Sequence, residues 1–376
     1  MPSFPLPTRC LVICICGEIV VKTMRRIQRG LIFIAAVFSL AGSIPVSAKP
    51  IQVYGVWHCG SDLCGWDNVP EMTDFDRSNH WLIDRGGGKP SVNLVVLSFV
   101  DPLRLLDLTN DAHNLDGIPI GITPEIVTYF TRHKIRVMIS IGGYTYARDW
   151  DQALATNPRQ LGINAAHAAR RFGVGIEIDY ENDHTPNVSG LDEFIAAYRS
   201  LLPYDAAARN PASRLTIDLA MDDDYLAPLT QYATANWLTT GRPVLDYANA
   251  MVSSEQTSAS MLEDGWREHI EGKTGIPPLA PSKLTGSLFI ATRGSVSAEC
   301  TDFTRSLEKA TGEFVKTVRP QGAGRSRGML GYMFWAAGCP GSRSACTAPP
   351  NTCEKGVGVG AKVYKVAAPM PPLRQD

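Results

Sequence analysis

At 376 residues the chain can bury one large core or two ordinary ones. Hydrophobic residues make up 44% and charged ones 19%, which excludes a disordered chain or one embedded wholly in a membrane. The formal net charge of −1 offers no basic surface to nucleic acid or an anionic membrane.

In chain order, a processing signature comes first. From Met24 a basic stretch, MRRIQRG, leads into the apolar LIFIAAVFSLAGSIP and the small residues Val46-Ser47-Ala48. This pattern predicts an export signal cleaved after Ala48, because the apolar run is short for a membrane span and contains Gly42 and Pro45. Residues 1–23, with Cys10, Cys14 and Cys16, read as an upstream extension. A secreted or periplasmic chain, free of the membrane after cleavage, is the expectation. Beyond residue 48 the chain keeps Cys59, Cys64, Cys300, Cys339, Cys346 and Cys353, an even count that predicts disulfides in an exported protein. Cys59 and Cys64 are close enough to staple one loop, and the other four allow three pairings. The spacings form no paired C-x-x-C set, so neither a zinc site nor any other metal or cofactor is expected.

Eight apolar segments then predict strands: 52–57, 92–99, 136–141, 174–179, 215–221, 245–252, 285–291 and 329–335. Several are nearly continuous hydrophobic runs, as strands covered on both faces should be. Helical patterns fall between them at 123–134, 163–172, 190–202, 226–237, 260–271 and 300–318, the first opening on Thr123 as cap and Pro124 at the first helical position. Gly173 stands where the second should end. The alternation predicts an α/β fold, a (β/α)8 TIM barrel over residues 49–340, followed by a Cys/Gly/Pro-rich C-terminal extension over 341–376 with one candidate hairpin at 357–366. A doubly wound open sheet is the alternative, weakened by the absence of a Gly-rich phosphate loop after the first strand. The short stretch between the last two strands leaves no room for an inserted domain, and a monomer is expected.

The fourth strand carries the chemistry. In FGVGIEIDYE, residues 172–181, Glu177, Asp179 and Glu181 alternate with Ile178 and Tyr180, so the three carboxylates share one face. Alternate residues lie about 6.5–7 Å apart, where two charges repel by roughly 2.5 kcal/mol at an effective dielectric near 20. One acid should therefore hold its proton near neutral pH, as a general acid must. A solvated acidic edge strand is the plainer alternative. The helix–strand–loop–helix context favours catalysis, since α/β barrels present catalysts at the C-terminal ends of their strands.

On these motifs the chain resembles glycoside hydrolase family 18, the chitinases and endo-β-N-acetylglucosaminidases. The family's fourth strand usually reads D-G-x-D-x-D-x-E, and here Gly175, Asp179 and Glu181 match, with Val174 and Glu177 in place of aspartates. Its third strand ends in S-x-G-G, matched by Ser140-Ile141-Gly142-Gly143, and its eighth in a Trp that floors the sugar site, here Trp335. Its sixth strand ends in M-x-Y, where this chain has Met251-Val252-Ser253.

The resemblance implies substrate-assisted retaining hydrolysis next to N-acetylglucosamine, in chitin-type oligosaccharides or the core of N-linked glycans. Glu181 would be the acid, Asp179 would orient the substrate's acetamido group, and Glu177 would share a proton behind it. Trp57, Phe99, Tyr144 and Trp335 could stack on sugar rings, beside Gly142, Gly143 and Met251. The departures at Val174 and Glu177 would alter proton sharing. For the missing Tyr at 253, Tyr247, Asn249, Asp222 or another residue of 221–225 could supply a donor. A cation site using the aspartates of 222–224 near Asp183 or His184 is a minor alternative, and Asn187-Val188-Ser189 is formally a glycosylation acceptor. A non-catalytic carbohydrate-binding barrel is the competing function.

Overall fold

A computed structural model describes residues 51–59, 65–84, 88–220, 224–251, 258–289, 305–319, 328–335 and 373. Eight parallel strands close into a ring: β1 (Val53–Cys59), β2 (Leu94–Val100), β3 (Arg136–Gly142), β4 (Gly175–Asp179), β5 (Leu215–Leu219), β6 (Ala248–Ala250), β7 (Leu284–Phe289) and β8 (Gly331–Trp335). Each pairs with its chain neighbours, and β1 closes on β8 with Val53 opposite Gly331. The barrel expectation holds and the open sheet fails, since an open sheet would leave β1 and β8 as bare edges.

Around the ring lie α1 (Met72–Ile83), α2 (Pro102–Asp107), α3 (Pro124–Thr131), α4 (Ala147–Thr156), α5 (Pro158–Phe172), α6 (Val188–Leu201), α7 (Ala227–Asn236), α8 (Ala259–Glu271) and α9 (Arg305–Thr317). Thr123 accepts the Ile126 N–H at 3.2 Å, so the expected cap of α3 is present. Gly173 ends α5 at φ 67°, ψ 35°, a left-handed conformation that costs glycine least. The sequence reading missed α1, α2 and α4. Glu71, an unusual capping residue, starts α1 by accepting from the N–H groups of Thr73 and Asp74. The six residues of α2 are too few to show a period, and α4 follows a 3-10 turn with no side-chain cap.

Strand alternation divides the core. Ile176, Ile178 and Tyr180 pack outward with the helices, in one continuous apolar layer that also takes Val95, Leu97, Ile139 and Ile217. A second, smaller group fills the barrel: Val53, Trp57, Leu94, Val96, Met138, Tyr247 and Met333. The acids of β4 stand on this inner side. The solvated-edge alternative therefore falls, because Glu177 and Asp179 are only 1% and 5% exposed.

At the N-terminal end the floor is polar and paired. Asp246 accepts from Arg214 at 2.7 Å, Arg199 at 3.1 Å and the Leu215 N–H at 2.7 Å, while Lys283 donates to its backbone carbonyl at 3.0 Å. Leu373 packs against the interior group from below, its N–H bonded to the Ala206 carbonyl. Residues 1–50, the other five cysteines beyond residue 48 and the candidate hairpin at 357–366 lie outside the described residues, although Cys59 is seen buried at the end of β1. No described helix is long and apolar enough to cross a membrane.

Candidate functional site

The C-terminal ends of the strands form a mouth, and the fourth strand delivers its acids there in depth order. Glu177 lies deepest, Asp179 is one pleat higher, and Glu181 stands just beyond the strand at the opening. Trp57 on β1 donates its indole N–H to Glu177 Oε1 at 2.7 Å. Asn249 on β6 donates to Glu177 Oε2 at 2.7 Å and to Asp218 Oδ1 on β5 at 2.8 Å, and Thr285 on β7 donates its hydroxyl to Asn249 Oδ1 at 2.6 Å. Five strands thus contribute to one buried polar layer. Asp179 Oδ1 has no hydrogen-bond partner.

At the opening, Tyr225 donates its hydroxyl to Glu181 Oε2 at 2.6 Å. The Tyr180 ring points the other way, outward, where its hydroxyl bonds Asp151 on α4 and accepts the Asn187 N–H at 2.8 Å. Asn182 donates to both Asp151 oxygens at 2.9 Å. The loop carrying Glu181 is thereby tied to α4 on the far side of the wall. Asn187 caps α6 by accepting from Gly190, so its side chain already serves the fold.

Burial governs the protonation of all four acids. It pushes Glu177 up to about 7, against the pull of its Trp57 and Asn249 donors. Asp179 is raised well above the usual carboxylate range by burial and then by the charges of Glu181 and Glu177. Asp218 is raised likewise, by burial and then by Glu177 and Asp179. Glu181 is raised by burial, with Tyr225 and the Tyr144 backbone amide drawing it back. The layer therefore holds protons that solvent-exposed carboxyls would lose.

Several residues expected to touch a substrate do other work. Trp57 is 4% exposed and holds Glu177 from inside the barrel. Tyr247 lies two residues below Asn249 on the same strand face, 1% exposed and near Arg214, so it belongs to the interior beneath the acids. Asn249 itself is 1% exposed and serves the acid layer. Gly142 and Gly143 are needed for the backbone: at φ +118° a Cβ on Gly142 would stand 1.8 Å from the Asp179 carbonyl oxygen. A Cβ on Gly143, at φ +93°, would meet the Phe99 ring at 3.1 Å. The Gly143 N–H and the Trp150 indole N–H both donate to that Asp179 carbonyl, at 2.9 and 3.1 Å. The S-x-G-G turn thus lets β3 approach β4 where Asp179 sits.

Other expected residues do gather at the mouth. Trp335, partly exposed at the end of β8, faces Phe99 at 5.7 Å between ring centroids and Trp57 at 6.2 Å. Tyr144 is 75% exposed beside Glu181, and Met251 follows β6 with its N–H on the Leu219 carbonyl. Asp222 and Ser253 lie outside the described residues.

One expectation needs correcting. Val174 belongs to the outer apolar layer, three residues from Glu177 and so on the opposite face, and a carboxylate there would not join the acid layer. Of the candidate cation site, Asp222 and Asp223 lie outside the described residues, while Asp224 is ion-paired with Lys273 at 2.8 Å and Asp183 lies 3.5 Å from His184. Asp218 was missed altogether. Its signal was present in LTIDL, where Thr216 and Asp218 alternate with Leu215, Ile217 and Leu219 and so must face the interior.

No protein-family model matches the chain, and no curated protein matches it in sequence. Solved structures do match in shape. A GH18 chitinase from Pseudoalteromonas aurantia superposes with a TM-score of 0.51 at 13% identity, over 75% of this chain and 93% of that one. A chitinase from Rhizomucor miehei gives 0.47 at 13% over 72% and 94%, and one from Aspergillus fumigatus 0.45 at 14% over 74% and 90%. The chain has a divergent GH18-like barrel fold.

Proposed function

We propose that this chain is an exported glycoside hydrolase that cleaves β-1,4 bonds next to N-acetylglucosamine by substrate-assisted retention. One observation carries the reading: Glu181 stands at the mouth with a raised proton affinity, directly above an Asp179 carboxylate whose Oδ1 is unpartnered. A proton donor at the opening and a free acceptor one pleat deeper are what the chemistry needs. Glu181 donates its proton to the leaving glycosidic oxygen. The substrate's own acetamido oxygen attacks the anomeric carbon from the other side, and the glycosidic bond breaks to give a cyclic oxazolinium ion. Asp179, driven to ionise by the positive charge that develops beside it, accepts the acetamido N–H and opposes that charge. Glu181, now ionised, takes a proton from water, which opens the ring with overall retention.

Trp335 and Tyr144 offer aromatic faces to the sugar rings. Tyr225 donates its hydroxyl to Glu181, a hydrogen bond to the proposed acid that supports catalysis over the rival reading of a binding-only barrel. Export, cleavage after Ala48 and disulfides among the remaining cysteines belong to the same proposal.

The test is incubation with N-acetyl-chitooligosaccharides and with a high-mannose glycopeptide, comparing the parent chain, Glu181→Gln and an EDTA-treated sample. Products should retain the β configuration, and Glu181→Gln should lose several orders of magnitude in kcat with folding intact. Binding without cleavage by the parent chain would establish the lectin-like alternative.

A further inference from the structure

Asp218 has no part in the chemistry above, yet it occupies the centre of the acid layer. The Asn249 amide nitrogen spans it and Glu177, donating to one oxygen of each at 2.8 and 2.7 Å. Those two oxygens can be no farther apart than the two bonds laid end to end. Thr285, on the opposite end of the amide, fixes which way Asn249 faces. Asp218 is 2% exposed and Glu177 1%, and among the described residues no Lys, Arg or His forms an ion pair with either. Two carboxylates so placed cannot both be ionised near neutral pH.

We propose that Asp218 and Glu177 hold one proton between them, and that Asp218 thereby acts as a positioning residue which leaves the Asp179 carboxylate free to face the mouth. The first half stands on the geometry of β4, β5 and β6; the second rests on the glycosidase reading. Both Glu177 oxygens accept from neutral donors, Trp57 and Asn249, and neither brings a charge to offset a second carboxylate held by the same amide. A proton held between the two acids supplies that offset. Asp179, one pleat above, shares none of these donors and keeps a bare oxygen, as a group waiting for a substrate N–H should. The shared proton also limits the pair to a single negative charge beneath Asp179.

The experiment is a carboxyl titration of the full chain, read by infrared difference spectra of protonated carboxyl groups. It compares the parent, Asp218→Asn, Glu177→Gln and the double variant. Sharing predicts that the parent pair releases its protons in two steps about two or more pH units apart. Each single variant should then show one step at an intermediate pH, and the double variant neither. Parent steps that merely superpose those of the two single variants would overturn the proposal. Asp218→Asn is nearly isosteric, but should it fail to fold, Glu177→Gln reads the same pair from the other side. A purely structural Asp218 would lower Tm on substitution without moving the Glu177 step, which also overturns the proposal. Glu181→Gln should leave the two-step pattern intact. Hydrolysis assayed in parallel keeps the questions apart: an inactive chain with split steps sinks only the glycosidase reading, and an active chain with additive steps sinks only the sharing.

Discussion

Replacing Glu177 by Gln should make the protein less sensitive to alkali, by an amount the structure sets. Burial moves the Glu177 carboxyl from 4.5 to about 7. Each unit is worth roughly 1.4 kcal/mol, so folding is penalised by about 3 kcal/mol once this group must ionise. The sign follows from proton counting. Between those two values the folded chain still holds the proton and the unfolded chain has released it, so stability falls as pH rises through the window. Gln carries no such proton and escapes the loss. It also has a cost, because Trp57 and Asn249 both aim N–H groups at this side chain and the Gln amide nitrogen would oppose one of them. That mismatch amounts to about 1–3 kcal/mol and does not depend on pH, so it cancels in the comparison. Urea unfolding followed by tryptophan fluorescence, for parent and variant at pH 4 and pH 8, isolates the charge contribution. The variant should gain about 3 kcal/mol relative to the parent between the two conditions. Parallel pH dependences in the two proteins would refute the claim that Glu177 is buried with a raised proton affinity.

Other expectations concern the mouth. Tyr225→Phe removes a hydrogen bond that favours the ionised form of Glu181, so the alkaline limb of the pH–rate profile should move to higher pH; an unmoved limb would deny that contact a role. Gly142→Ala would drive a methyl group into the Asp179 carbonyl oxygen and force a strained φ, and should cost about 3 kcal/mol or more, measured as a fall in Tm or as insoluble expression. Tyr144→Ala, at an exposed position, should leave Tm unchanged while raising KM for chitooligosaccharides several-fold, and an unchanged KM would remove Tyr144 from the sugar path.

The architecture was readable because continuous apolar strands such as LVVLSFV can only be covered on both faces, and eight of them alternating with helices leave few ways to close. The same period-2 logic placed Glu177, Asp179 and Glu181 on one side of β4, which the structure turns inward. It would also have placed Asp218, had β5 been read for its polar face as β4 was. The depth of Trp57 and Tyr247 was not legible, because strand parity says that a side chain faces the interior but not how far below the mouth it lies. The glycines of S-x-G-G show a related limit. A motif marks where the backbone is constrained, but the contact that constrains it, here the Asp179 carbonyl, belongs to another strand. The short helix α2 and the Glu71-capped α1 lacked local signals that could outweigh their polar composition.

The pairing of Val53 with Gly331 also bears on how the molecule is assembled. Nearly the whole domain separates these partners along the chain, so their pairing carries the largest loop-closure cost of any in the ring. While that seam is open its two strand edges are available to foreign strands, and aggregation competes with closure. Gly331 sits on the seam itself, where a Cβ would stand 1.8 Å from the Val53 carbonyl oxygen. A substitution there should act first on refolding yield, as a failure to close rather than as a loss of chemistry.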